Sequence, residues 1–215
     1  MLVPSSSQKD FLEKASRRYH EGLTPEGVEY LTGPKRGLTE EAIERFRLGV
    51  VADPLPGHES YRGWITIPYL TAYGPTTMRF RRLGEGSGDK YLSAPGDPVR
   101  IYNPEALQRG TRAICLTEGE FDCVVAELCD MPCIGLPGAQ SWQPAWTRLL
   151  EQYDSVFFLQ DDDDAGRTMA KALAKPLRSN LRTIVMNGGD VTSFFLEHGR
   201  EALREKVLGK QQERS

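Results

Sequence analysis

Ser155-Val156-Phe157-Phe158-Leu159-Gln160-Asp161-Asp162-Asp163-Asp164-Ala165-Gly166-Arg167 is the stretch on which the fold turns. Its first half is the most apolar strand-like run in the chain, and it passes directly into four consecutive aspartates. A helical pattern follows over 165–178, with Ala170, Leu173, Ala174 and Leu177 on one face. A run of this kind, apolar on both sides, fits a strand covered by helices on both faces of a sheet. The aspartates then stand where that strand meets solvent.

The same rhythm repeats on either side. Upstream, Ala113-Ile114-Cys115-Leu116 leads to Thr117-Glu118-Gly119 and a helix over Phe121–Leu128, and Cys133-Ile134-Gly135-Leu136 ends at Pro137-Gly138. A further helix is expected over Trp142–Gln152. Downstream, Thr183-Ile184-Val185-Met186 leads to Asn187-Gly188-Gly189-Asp190. Alternating strands and helices specify an α/β unit, residues 111–199, with a mainly parallel sheet.

Glu118, Asp161, Asp163 and Asp190 each follow a strand of that sheet, so all four are delivered to one edge, where open α/β sheets bind ligands. Each also has a plainer use. Asp163 and Asp190 are placed to cap the helices that follow them, and Glu118 can be solvated. Carboxylates crowded together repel, and burial raises their pKa values. Mg2+ or Mn2+, hard ions that take oxygen ligands, removes that conflict and suits phosphoryl chemistry. Glu118 is the candidate for assisting deprotonation of an attacking hydroxyl, and Gly119, Gly138 and Gly166 would let backbone approach phosphate or metal.

The first half reads differently. Residues 8–20 carry Phe11, Leu12, Ala15 and Tyr19 at helical spacing; Thr24-Pro25 and Thr39 open two shorter helices, with Gly49 as a stop for the second. Two strands, around Trp64–Tyr69 and Thr77–Arg81, are joined at Tyr73-Gly74-Pro75, with Met78, Phe80 and Arg82 on one face and Arg79 and Arg81 on the other. Gly84, Gly86 and Gly88 loosen the loop beyond, and Lys90 to Pro104 reads as irregular. This gives an α+β subdomain over 1–110, the α/β unit over 111–199, and a C-terminal helix and tail over 200–215.

A chain of 215 residues, 39% hydrophobic and 27% charged, is an ordinary globular protein. It has no apolar run of the roughly 18–20 residues that cross a bilayer and no secretory-type leader, so a cytoplasmic setting is expected. The net charge of −3 averages the aspartate knot against a basic cluster of Arg79, Arg81, Arg82 and Lys90. Carboxylates for metal beside cations for a polyanion would produce that division, although solvated surface does so too. Cys115, Cys123, Cys129 and Cys133 contain no closely spaced pair of the zinc-ribbon kind.

Leu116-Thr117-Glu118-Gly119-Glu120-Phe121-Asp122, Gly135-Leu136-Pro137-Gly138 and Leu159 through Arg167 resemble, in order, the motifs of the Toprim domain. Toprim is shared by bacterial-type primases, type IA and II topoisomerases, recombination mediators and some nucleases. The Arg36–Gly49 segment, Ile67-Pro68, Lys90-Tyr91-Leu92-Ser93 and Ile101-Tyr102-Asn103 resemble the segments that precede Toprim in bacterial and phage replicative primases. The resemblance spans about 12–200. It implies a DNA primase catalytic core, an RNA-primer-synthesising nucleotidyltransferase acting on single-stranded DNA with ribonucleoside triphosphates.

By that resemblance Glu118 is the family's glutamate, Asp161 and Asp163 its DxD pair, and Asp122 the added acid of primases. Arg81 or Arg82, with Lys90, lies along the template or nucleotide path. The family's third acidic motif is usually Asp-Pro-Asp; here it is Asp190-Val191-Thr192, and Thr192 brings no second charge. No zinc ribbon precedes the core in this sequence and little follows Gly199, so a reduced, phage-type primase is expected. A zinc-ribbon protein and a replicative helicase would act in trans. A Toprim nuclease and a non-catalytic replication or recombination accessory protein are the competing readings.

Overall fold

The computed structural model describes residues 4–84, 88–138 and 141–209. Gly86 and the tail beyond Gly209 lie outside them. The chain forms two compact units that divide at Pro98/Val99, ahead of the 110/111 division read from the sequence.

The first unit is a four-stranded antiparallel sheet in the order β1-β2-β3-β4: β1 (Gly49–Val50), β2 (Ile65–Thr71), β3 (Gly74–Arg81) and β4 (Tyr91–Ser93). Helices α1 (Ser6–Glu21), α2 (Pro25–Thr32) and α3 (Glu40–Arg45) precede it. Each helix start is chemically fixed. Ser5 and Gln8 form a reciprocal capping box on α1, Thr24 accepts from the Gly27 N–H, and Thr39 accepts from the Ala42 N–H. The expected stripe of α1 is the one that packs: Ala15 and Tyr19 join Val51, Tyr61, Met78 and Phe80 in the core, with Phe11 and Leu12 against them. Tyr61 and Phe80 stack at 3.8 Å between ring centroids. His58 is buried among these rings, and its Nδ1 meets the Tyr19 hydroxyl at 2.9 Å.

Two expectations fail in this unit. Gly49 does not stop α3, which ends at the Phe46 cap; it opens β1, where a Cβ would run into the Tyr19 backbone of α1. The reason for glycine is close approach by a distant segment. The stretch after Lys90 is not wholly irregular either, because β4 pairs with β3 through Arg81↔Tyr91, Phe80↔Leu92 and Arg79↔Ser93.

The second unit is a parallel sheet in the order β6-β5-β7-β8: β5 (Ala113–Thr117), β6 (Cys133–Gly135), β7 (Ser155–Asp161) and β8 (Leu181–Met186). Helix α4 (Glu120–Leu128) joins β5 to β6, and α6 (Asp164–Ala174) joins β7 to β8. Ile114, Leu116, Val156 and Phe158 of the sheet pack with Met169, Leu173 and Leu177. Each fully buried side chain of this size contributes about 1.5–3 kcal/mol. The expected helix over Trp142–Gln152 shrinks to a 3-10 turn at Pro144–Trp146 and α5 (Thr147–Leu150), since Pro144 admits helix only at a first turn. Helix α6 ends at Ala174, earlier than read, ahead of Pro176, whose ring disfavours helix before it. Helix α7 (Val191–Leu208) is broken at Gly199, whose φ is 80°, so 200–208 forms its own helical segment.

Residues 99–110 pack with this unit. Tyr102 bridges Gly135 antiparallel on the outer side of β6, and Ala106 enters the core. Glu127 of α4 is buried there. Its carboxylate accepts from Asn103 Nδ2 at 2.9 Å and the Cys133 N–H at 2.9 Å, and pairs with Arg109 at 2.8 Å. The four cysteines are buried free thiols. Among the described residues, no helix is long and apolar enough to cross a membrane.

Candidate functional site

The sheet order creates a switch point. From β5 the chain crosses through α4 to β6 on one side, and from β7 it crosses through α6 to β8 on the other. The crevice at the carboxyl ends of β5 and β7 is where such sheets bind ligands. Glu118 immediately follows β5, and Asp161 is the last residue of β7.

These two side chains carry the strain of the site. Glu118 Oε1 and Asp161 Oδ1 are both buried without a hydrogen-bond partner. Burial raises the Asp161 pKa from 3.8 to about 8, with further contributions from the charges of Asp122, Glu118, Asp190 and Asp163. Glu118 rises from 4.5 to about 7, chiefly by burial, then by the charge of Asp163, with a smaller contribution from Asp122; the Asp161 backbone N–H offsets part of the rise. The expected carboxylates therefore act on one another across the sheet edge. Gly166 makes the closeness possible: a Cβ there would collide with the Asp161 carbonyl oxygen and stand 2.9 Å from Glu118 Oε1.

The remaining acids are anchored. Asp163 caps α6, accepting the Gly166 N–H at 2.7 Å. Asp190 caps α7, accepting the Ser193 N–H at 2.7 Å. Asp122, on α4, accepts both the N–H and the hydroxyl of Thr192 on Oδ1. The helix-capping use of Asp163 and Asp190 is thus real, and it coexists with their electrostatic reach into the crevice. Among the described residues, no group of three or more His, Cys, Asp or Glu stands as a ready cation cage. Three carboxylate oxygens of the rim, one each from Asp122, Asp163 and Asp190, are turned to donors of α6 and α7. Two buried acceptors lacking donors, on acids whose protons are held by burial first and by neighbouring negative charge second, nevertheless fit a hard cation. Gly119 heads α4 with no side-chain cap, and a Cβ there would stand 3.0 Å from Asp122 Oδ2.

The basic residues belong to the first unit. Arg81 is only 5% exposed; its guanidinium donates to the hydroxyls of Tyr30 and Tyr91 and lies 4.6 Å from the Tyr91 ring centroid. Arg82 is half-buried and donates to the Gly88 carbonyl at 3.2 Å, while Lys90 is exposed. Sequence reasoning missed the tyrosines; the strand register that sets Tyr91 opposite Arg81 was the signal, hidden because β4 was not recognised. It also missed the link between Asp122 and Thr192, which joins residues seventy positions apart.

No protein-family model matches the chain. The RNA polymerase domain of Mycobacterium tuberculosis primase DnaG superposes with a TM-score of 0.77 at 18% identity, covering 95% of this chain and 84% of that one. The Aquifex aeolicus primase, comprising its zinc-binding and RNA polymerase domains, gives 0.78 at 21% identity, covering 95% and 62%. In sequence, the chain is 42% identical over 153 residues, 68% of its length, to the gene 57 protein of Mycobacterium phage D29, and covers 99% of that relative. The chain belongs to the family of that phage protein and is built on the fold of the bacterial-type primase catalytic core.

Proposed function

We propose that the chain synthesises short RNA primers on single-stranded DNA by nucleotidyl transfer dependent on Mg2+ or Mn2+. The observation that carries this reading is the pair of buried, unpartnered carboxylate oxygens, Glu118 Oε1 and Asp161 Oδ1, at the switch point of a primase-type sheet. Glu118, Asp161, Asp163 and Asp190 would hold the cation, which when bound neutralises phosphate charge and lowers the pKa of a coordinated oxygen. Glu118, with a pKa of about 7 before a cation arrives, can hold or accept a proton near neutral pH, which suits a group that takes one from an attacking hydroxyl. Asp122 supports the rim from α4. The N-terminus of α4, which begins after Gly119, turns the positive end of the helix dipole toward an anionic phosphate.

In the first unit, Lys90 and Arg82 are the residues for phosphate contact along template or nucleotide. Arg81, enclosed by two tyrosine hydroxyls, sets the shape of that surface from beneath. The Aquifex aeolicus primase structure combines zinc-binding and RNA polymerase domains, so a zinc-ribbon protein is the first candidate partner for template capture and a replicative helicase the second.

The test is primer synthesis by the purified chain on varied single-stranded templates with each metal, with and without a zinc-ribbon partner. The wild-type protein should extend ribonucleotides into primers, weakly alone and better with the partner. Glu118→Gln should bind template and lose most synthesis. Full synthesis by Glu118→Gln contradicts the assigned role; template degradation without primer formation identifies a nuclease instead.

A further inference from the structure

Asp163 and Asp190 are held by bonds within their own helical turns, to Gly166 and Ser193. Asp122 is held differently. The Thr192 backbone N–H reaches its Oδ1 at 2.9 Å and the Thr192 hydroxyl reaches the same oxygen at 2.7 Å. Both residues are buried, Asp122 at 8% and Thr192 at 2% exposure, so solvent does not compete for these bonds. Donors to a carboxylate in such surroundings are strong and directional. Thr192 belongs to the first turn of α7, whose cap is Asp190. On the other side, Asp122 Oδ2 faces the backbone at Gly119, the residue after Glu118. One carboxylate therefore spans from the loop after β5 to the head of α7.

We infer that Thr192 is a positioning residue of the acidic rim, fixing Asp122 on α4 against Asp190 at the head of α7 and thereby setting the affinity of the rim for a divalent cation. The inference rests on the reading of this rim as the cation site. Valine in place of Thr192 keeps the shape and the backbone bond but removes the hydroxyl, so Asp122 loses one of the donors that Thr192 aims at it. Serine keeps the hydroxyl.

The experiment titrates Mn2+ into the full chain without nucleotide and follows free Mn2+ by its paramagnetic resonance signal. Wild type, T192V, T192S, E118Q and D161N are compared, with circular dichroism establishing that each is folded. T192V should bind Mn2+ about 10–100-fold more weakly and T192S within about threefold of wild type, the range usual for residues that orient ligands. The Mn2+ concentration for half-maximal primer synthesis should move with the binding constant, while the rate at saturating Mn2+ changes less. If E118Q and D161N lose binding but T192V retains wild-type affinity, the positioning role is overturned and the cation site stands. If all variants bind as wild type does, the cation-site reading itself fails. Should T192V not fold, T192A carries the comparison: weakened binding rescued in T192S supports the role, and unchanged binding overturns it.

Discussion

Replacing Asp161 by asparagine should stabilise the cation-free protein at neutral and higher pH while removing its response to divalent cations. The folded-state pKa of Asp161 is about 8 against 3.8 for the unperturbed group. Between those values the native protein keeps a proton that the unfolded chain has released, so this contribution to stability is complete below about pH 4 and is lost as pH rises through about 8. At pH 7 the window already crossed is roughly three pH units, a ceiling of about 4 kcal/mol at 1.36 kcal/mol per unit. Water entry and adjustment of neighbouring acids reduce this, and about 2 kcal/mol is the expected gain for the neutral, isosteric amide. For a chain of this size that corresponds to about 4–8 °C in Tm. Calorimetric unfolding in EDTA at pH 4, 7 and 8, repeated with saturating Mg2+, provides the test. The variant should match wild type near pH 4, exceed it at pH 7 and 8, and fail to gain stability when Mg2+ is added. An Asp161→Asn protein less stable than wild type at pH 8 in EDTA, with an unchanged pH slope, would refute the argument.

Gly166→Ala places a methyl group against the Asp161 carbonyl and Glu118 Oε1; it should cost about 1–3 kcal/mol in urea unfolding and suppress primer synthesis. A variant with a wild-type midpoint and rate would contradict the packing account. Converting Arg82 and Lys90 together to glutamine should lower the slope of log affinity against log salt for single-stranded DNA by about 1.4, whatever the template sequence; an unchanged slope would remove them from the phosphate path. Arg81→Lys should instead lower Tm, because a single ammonium cannot span the Tyr30 and Tyr91 hydroxyls as the guanidinium does.

What the sequence revealed was whatever local rules control. Thr24 and Thr39 cap helices because hydroxyl and backbone N–H are three residues apart, and the carboxylates reach one edge because parallel strands all end there. The misread features depend on distant chain. Gly49 looks like a helix stop until β1 is known to pass against Tyr19, and alternation puts Arg81 on the face opposite Met78 and Phe80 without showing that Tyr30 and Tyr91 accept its hydrogen bonds. Thr192 looked like a missing charge. Its use became visible only when folding brought α4 and α7 together, because a hydroxyl chosen to donate and a residue chosen at random read alike in one sequence.

The buried Glu127 decides where the α/β unit can be cut. A fragment begun at residue 111 would lack Asn103 and Arg109, leaving the carboxylate with only the Cys133 N–H among these three partners. Stripping a buried ion of its counter-charge costs about 3–5 kcal/mol, enough to consume much of a small domain's stability. The same cut removes Tyr102 and bares the flank of β6 at Gly135. Strands exposed in that way recruit other strands, so fragments starting late should self-associate, whereas those starting at or before Val99 keep their own edge guard.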